Sequence, residues 1–304
     1  MQQTIKADVG WRVWWQLTRP HTLTASFVPV LLGTLIAYRE TGINVTLFIL
    51  MMLATLFLQA ATNMFNEYYD FRRGLDTEHS VGIGGAIVRN GVRPGTVLAI
   101  AVGLYLAAAL MGLYIAGQTS WWLLVVGGIA MAIGYLYTGG PYPIAYTPLG
   151  ELFSGVVMGM AIVLIAYFIQ AGHVSGLALS ISVPSMILVG AIMMSNNIRD
   201  LEGDRESGRK TLAILAGRTN AVNILALFFI TAYAWIGGMV LTGKLTPWAL
   251  LVFLSAAKPY NAIRVFRHEN VPLRVMPAMK ATAQTNTFFG LLLCMALLIE
   301  HWFS

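Results

Sequence analysis

Long apolar stretches alternate with short polar connections along the whole chain, and the apolar stretches have the length of membrane spans. Windows at 22–37, 44–63, 96–117, 121–137, 149–171, 176–195, 220–241, 247–260 and 281–300 predict nine helices, because about 20 residues rising 1.5 Å each match a hydrocarbon core of ~30 Å. The first and eighth windows are short. Proline and glycine interrupt several without ruling them out, since neighbouring helices re-satisfy freed backbone groups. In hydrocarbon only helices and closed barrels satisfy their own backbone, and these runs are far longer than barrel strands of roughly 10 residues. The pattern therefore predicts an all-α polytopic membrane protein, one domain over 1–304.

Composition sharpens this picture. The 304 residues are 57% hydrophobic and 11% charged, against about 25% charged in an ordinary soluble domain. That is too little charge for a water-facing surface. The net charge of +6 does not indicate nucleic acid, because the basic residues lie between spans. Seventeen of the nineteen Lys and Arg fall before the first window, in the second–third, sixth–seventh and eighth–ninth connections or, for Lys258, at the inner end of the eighth window; Arg39 and Lys244 stand on the other side. The positive-inside rule then places the N-terminus and those connections in the cytoplasm. The first nineteen residues, with Lys6, Asp8, Arg12 and Arg19, lack the apolar core of a cleavable signal peptide. Trp11, Trp14 and Trp15 beside Arg12 and Arg19 predict an amphipathic segment over 1–20 lying on the inner surface. The single cysteine, Cys294, excludes an intrachain disulfide and a cysteine metal site.

Two of the inner connections, 64–95 and 196–219, are long, and functional loops are the usual reason for such length. Eight of the thirteen acids fall in or beside them: Glu67, Asp70, Asp76 and Glu78, then Asp200, Glu202, Asp204 and Glu206. The first stretch reads N-M-F-N-E-Y-Y-D-F-R-R-G-L-D (63–76), and the second carries D-L-E-G-D (200–204). Residues three or four apart share a helix face. Asn63, Asn66 and Asp70 thus predict one polar stripe, and Asn196, Asp200 and Asp204 another. Aligning Asn66, Asp70, Gly74 and Asp76 with Asn196, Asp200, Gly203 and Asp204 suggests one device used twice, as internal repeats often are in membrane folds. Acids and arginines pairing on solvated loops would explain one acid. Two stripes that each begin where an apolar span ends point to function, because polar groups at membrane depth are costly.

Such stripes, facing one another, make an oxygen-only site suited to Mg²⁺, which is held by one or two carboxylates plus phosphate oxygens. Asp70, Asp200 and Asp204 are the primary candidate ligands, with Asn66 and Asp76 in support. The histidines His21, His79, His173, His268 and His301 show no ligand spacing for a softer metal. Arg72, Arg73 and Lys210 are candidate diphosphate donors, since a metal alone leaves phosphate charge unpaired. Tyr137, Tyr142 and Tyr146 are candidate acceptor contacts, although interfacial anchoring is the usual role of membrane tyrosines. Asn197, beside the second stripe, is a further polar candidate, and Asn63 extends the first. Gly127, Gly128, Gly155 and Gly159 are expected to permit close helix packing.

At these residues the sequence resembles the UbiA superfamily of intramembrane aromatic prenyltransferases, which carries an N-x-x-x-D-type motif after its second helix and D-x-x-x-D after its sixth. The likeness covers essentially the whole chain. It implies helices surrounding a central cavity, Mg²⁺ as cofactor, and a multi-pass protein of the cell membrane with its site near the cytoplasmic face. The stretches 63–77, S-V-G-I-G-G-A-I-V-R-N-G (80–91), Y-T-G-G-P-Y-P-I-A-Y-T-P-L-G-E (137–151), S-N-N-I-R-D-L-E-G-D (195–204) and G-R-K-T-L-A (208–213) look most like the members that act on 1,4-dihydroxy-2-naphthoate in menaquinone biosynthesis. That implies transfer of a polyprenyl group from polyprenyl diphosphate, with decarboxylation. One departure stands out: many 4-hydroxybenzoate enzymes place a lysine shortly after a tyrosine where this chain has Tyr142 to Tyr146, and no Lys or Arg occurs between Arg93 and Arg199. The alternatives are another acceptor, such as 4-hydroxybenzoate or homogentisate, and a cation-coupled transporter. Against the transporter, the acids cluster at helix ends on one face and not near the bilayer centre.

Overall fold

The computed structural model describes residues 10–76 and 85–303. Lys6, Asp8, Glu78, His79 and the start of the 80–91 stretch lie outside the described residues. Two compact units are present: Met1–Leu23 with Leu53–Ala145, and Thr24–Met52 with Tyr146–Ser304. Among the described residues there are helices and no strands.

The first unit holds α1 (Trp11–Leu17), most of α3 (Val45–Arg72), α4 (Pro94–Gln118) and α5 (Trp122–Leu136). Pro94 opens α4 behind an extended Arg93, where proline's fixed φ and missing N–H carry no penalty. The core is small: Leu17, Ala61, Met64, Phe65, Ala86, Ile87, Val97 and Ala101. Most of α4 and α5 instead faces outward. Leu106 and Leu110 are 62% and 67% exposed, and α5 has no buried residue. Apolar faces of that extent suit lipid, not water.

The second unit is the more deeply packed. It contains α2 (Thr24–Thr41), α6 (Gly150–Ser154), α7 (Ile162–Ala171), α8 (Gly176–Glu206), α9 (Leu212–Ala216), α10 (Arg218–Leu241), α11 (Ala257–His268) and α12 (Pro272–Phe303). Helices in lipid gain nothing from hiding apolar surface, so close approach must come through small residues. Gly33 meets the α7 backbone so closely that a Cβ there would stand 2.2 Å from the Val163 carbonyl oxygen. Gly155 and Gly159 meet Met186 on α8 in the same manner, as expected. Gly127 and Gly128 do not: nothing lies within 4 Å of a Cβ at either. They belong to the outward-facing α5, so the expected packing role is corrected for that pair. Between α6 and α7 the helix widens into a π-helical stretch, Gly155–Ala161.

All nine predicted windows fall on helix. Six helices are long and apolar enough to cross a membrane: Val45–Arg72, Pro94–Gln118, Gly150–Ala171, Gly176–Glu206, Arg218–Leu241 and Pro272–Phe303, with Trp122–Leu136 a shorter apolar one. Of the other two windows, α2 ends in charged Arg39 and Glu40, and 247–260 divides between a 3₁₀ helix (Pro247–Ser255) and α11. The expected loops also change. Helix α8 continues past Ser195 to Glu206, and α3 past Asn63 to Arg72. The 31 residues of α8 reach about 46 Å at 1.5 Å each, so one end projects well beyond a core of ~30 Å.

Candidate active site

Both acidic motifs lie on the projecting last turns of their helices, and both helices stop by the same device. Gly74 (φ 72°) follows α3, with the Leu75 N–H donating to the Asp70 carbonyl at 2.9 Å. Gly208 (φ 78°) follows α8, with the Arg209 N–H donating to the Asp204 carbonyl at 3.0 Å. A left-handed glycine in this place is a common helix terminator. The structural repeat is therefore Asp-x-x-x-Gly, pairing Asp70 with Asp204. The register inferred from sequence, which paired Asp70 with Asp200, is off by one turn. Each aspartate sits at the negative end of its helix dipole, a location that disfavours a carboxylate by roughly 0.3–1 kcal/mol and favours a cation beside it.

Around the first motif, side chains converge on Thr138. Its hydroxyl donates to Asn66 Oδ1 at 2.7 Å, while Arg73 donates to its carbonyl and, at 2.9 Å, to that of Gly140. The Arg73 guanidinium also lies 5.3 Å from the Tyr69 ring centre. Arg73 is thus a clip between α3 and the 138–140 turn, which limits its part as a diphosphate donor. Arg72 is exposed and stands 5.9 Å from the Tyr68 ring. Asp70 and Asp76 are half-buried. Asn63 departs from the expected stripe: it is 4% exposed, and its Nδ2 donates to the Thr18 carbonyl (2.7 Å) and to Thr22 Oγ1 (3.0 Å). Its amide ties α3 to the turn after α1, which removes it from the substrate-binding set. Glu67 turns inward, 1% exposed, and its Oε1 accepts from the N–H groups of Gly85 (2.6 Å) and Ile87 (3.3 Å). Tyr137 is half-buried, whereas Tyr142 is 91% exposed, as an interfacial anchor would be.

Around the second motif, arginines hold the acids. Arg199, only 9% exposed along its side chain, grips both oxygens of Asp200, with Nε to Oδ1 at 2.6 Å. Arg209 donates to Asp204 Oδ1 at 2.9 Å and stacks 5.1 Å from the Tyr146 ring. The Lys210 N–H donates to the Tyr146 carbonyl at 3.0 Å, leaving its side chain exposed. Tyr146 therefore supports the basic segment after α8, a role distinct from the expected acceptor contact. Arg218 reaches back to the carbonyls of Ile198 (3.1 Å) and Glu269. Asn197 Nδ2 donates to Glu151 Oε1 at 2.8 Å.

Thr138 and Glu151 are polar residues that the sequence pattern does not single out. Both lie inside the quoted 137–151 stretch, but their partners are 72 and 46 residues away. The donors at both helix ends are oxygens, as Mg²⁺ prefers. No group of three or more His, Cys, Asp or Glu gathers as a ready-made metal cage among the described residues. A hard ion completed by phosphate oxygens does not need one.

These features define an all-helical, polytopic membrane protein with carboxylates and guanidinium groups at the ends of two long helices. The chain belongs to the UbiA prenyltransferase family, whose model matches residues 26–274. It is 56% identical to the 1,4-dihydroxy-2-naphthoate octaprenyltransferase of Bacillus subtilis (strain 168), over 98% of this chain and 95% of that protein. Identity to the UbiA prenyltransferase domain-containing protein 1 homolog of Drosophila melanogaster is 31%, over 93% of this chain and 78% of that one. The fold matches a UbiA homolog from Archaeoglobus fulgidus bound to GPP and Mg²⁺, with a TM-score of 0.65 and 14% identity over 92% of this chain and 99% of that one.

Proposed function

We propose that this protein transfers a polyprenyl group from polyprenyl diphosphate to 1,4-dihydroxy-2-naphthoate, with loss of the ring carboxylate, in menaquinone biosynthesis. The ring carbon bonds to the allylic carbon, the carbon–oxygen bond to diphosphate breaks with its electron pair leaving on the diphosphate, and the carboxylate departs as CO₂. The observation that carries this reading is the repeated Asp-x-x-x-Gly helix end, a negatively polarised terminus bearing an aspartate, present in both motifs. The 56% identity to a naphthoate octaprenyltransferase supports the choice of acceptor.

Asp70, Asp200 and Asp204, with Asn66 and Asp76, would hold Mg²⁺. When bound, the ion acts as a Lewis acid on the diphosphate leaving group. Arg199 and Arg209 keep the aspartates of α8 aimed and desolvated on one side, and their planar forks match phosphate as well as carboxylate. Arg72 and Lys210, whose side chains are exposed, receive the diphosphate oxygens. The clip from Arg73 and Asn66 to Thr138 fixes the last turns of α3. The protein lies in the cell membrane with both motifs on the cytoplasmic side, following the distribution of Lys and Arg.

An assay with membranes containing the protein, Mg²⁺ and a polyprenyl diphosphate, offering 1,4-dihydroxy-2-naphthoate, 4-hydroxybenzoate and homogentisate separately, tests the reading. Product is expected from the naphthoate alone. Product only from one of the other two acceptors would overturn the choice of acceptor while leaving the chemistry of the motifs intact.

A further inference from the structure

Among the described residues, two buried carboxyl groups each have one oxygen with no hydrogen-bond partner: Glu67 and Glu151. Glu67 has an evident structural duty, since its other oxygen gathers two backbone N–H groups of the 85–87 turn. Glu151 has no such duty. It is 4% exposed, its Oε1 accepts one bond from the Asn197 side chain, and its Oε2 is fully enclosed. An ionisable group left half-satisfied within an apolar span is costly, and an apolar residue there would avoid the cost.

The location tells what Oε2 awaits. Asn197 is three residues, or about 4–5 Å of helix rise, before Asp200 on α8, and Glu151 reaches that turn with its side chain, on the side where α8 becomes apolar. The backbone at the start of α6 packs closely on α8 further into the span: a Cβ on Gly190 of α8 would lie 3.1 Å from the Glu151 carbonyl oxygen. Four residues later the same helix widens into its π-helical stretch, a feature that recurs at functional sites. A fixed, buried hydrogen-bond acceptor just inside the acidic end of α8 calls for a mostly apolar ligand that carries an O–H group.

We propose that Glu151, steadied by Asn197, binds the aromatic acceptor by accepting a hydrogen bond from one ring hydroxyl at Oε2; this rests on the naphthoate reading above. The bond orients the ring and raises its electron density for attack on the allylic carbon. Equilibrium binding to the purified full chain in detergent tests this, using 1,4-dihydroxy-2-naphthoate and its two monohydroxy counterparts, 1-hydroxy- and 4-hydroxy-2-naphthoate. In the unaltered protein, removal of one of the two hydroxyls should weaken binding about tenfold or more, as loss of a bond to a charged group does. In Glu151→Gln the amide oxygen still serves Asn197, but the acceptor at Oε2 is replaced by NH₂. The hydroxyl penalty should then shrink to less than about threefold, with the apparent KM for polyprenyl diphosphate unchanged. Glu151→Met, which removes both bonds, is read in the same way should the glutamine variant fail to fold. An equal penalty in variant and unaltered protein, or none for either hydroxyl in the unaltered protein, would overturn the proposal. If the unaltered protein forms no prenylated naphthoate from the full substrates, the acceptor assignment itself is at fault.

Discussion

Replacing Asn63 by alanine separates a structural amide from a substrate contact. The side chain is 4% exposed and donates to the Thr18 carbonyl and to Thr22 Oγ1. The threonine hydroxyl keeps other partners, since it donates to the Arg19 carbonyl at 2.9 Å and accepts from Gln59 Nε2 at 3.2 Å. The loss therefore falls on the Thr18 carbonyl, which is deprived of its amide donor. Leaving one acceptor unsatisfied costs about 1–3 kcal/mol when it is buried; this one is part-buried, and hydrogen bonds in membrane proteins tend to the lower part of such ranges. At roughly 2–4 °C per kcal/mol for domains of 150–250 residues, a cost of about 1–2 kcal/mol lowers the unfolding midpoint by about 2–8 °C. Thermal unfolding in detergent, followed by tryptophan fluorescence, measures that shift. Steady-state kinetics on the surviving protein should give kcat and both KM values within about twofold of the unaltered enzyme. An unchanged midpoint with a tenfold higher KM for the prenyl diphosphate would refute the structural role and restore Asn63 to the substrate.

The remaining expectations concern the metal, the clip and the packing glycines. Asp70→Asn and Asp204→Asn should each abolish turnover while leaving insertion into membranes intact, and retained activity in a radiolabelled prenyl-transfer assay would remove the residue from the metal set. Chelation with EDTA should stop turnover and added Mg²⁺ restore it; turnover indifferent to chelator would refute metal dependence. Arg73→Lys, which cannot grip the Thr138 and Gly140 carbonyls with one planar fork, should lower kcat more than Arg72→Lys; equal kcat values would count against the clip. Gly159→Leu should destabilise by at least about 1–3 kcal/mol through overpacking, whereas Gly127→Leu, with open space around it, should leave the unfolding midpoint in place.

The apolar windows located every long helix because a lipid solvent leaves the backbone no other option. Helix ends were harder to read. Polarity marks where the bilayer stops and does not mark where hydrogen bonding stops, so α3 and α8 continue through Asn66 to Arg72 and Asn196 to Glu206 after hydropathy has fallen. The repeat is visible in the chain, yet the Asn and Asp pairs suggest a register one turn off. The terminating glycines Gly74 and Gly208, four residues beyond Asp70 and Asp204, set the true register, and D-x-x-x-G stands in the chain at both places. Glu151 carries no signal in the sequence, because a lone acid in an apolar window has no local pattern and its partner is supplied by another helix. The same holds for Thr138 and for the inward turn of Asn63. In each case the partner is fixed by packing over a distance that periodicity does not encode.

The π-helical stretch Gly155–Ala161 also bears on how this chain tolerates insertions and deletions. A widened turn is what an α-helix becomes when it absorbs an extra residue without shifting its neighbours. Deleting Val156 would let the helix from Gly150 to Ala171 close into ordinary α turns, with no loss of length needed for spanning. The residues on either side would keep their faces, Glu151 against Asn197 and Gly33 against Val163, whereas deleting Leu164 from the ordinary α turns that follow would swing everything before it by about 100° around the axis. Helix content and membrane insertion would still look normal after the Leu164 deletion, in a protein whose Glu151 had turned away from Asn197.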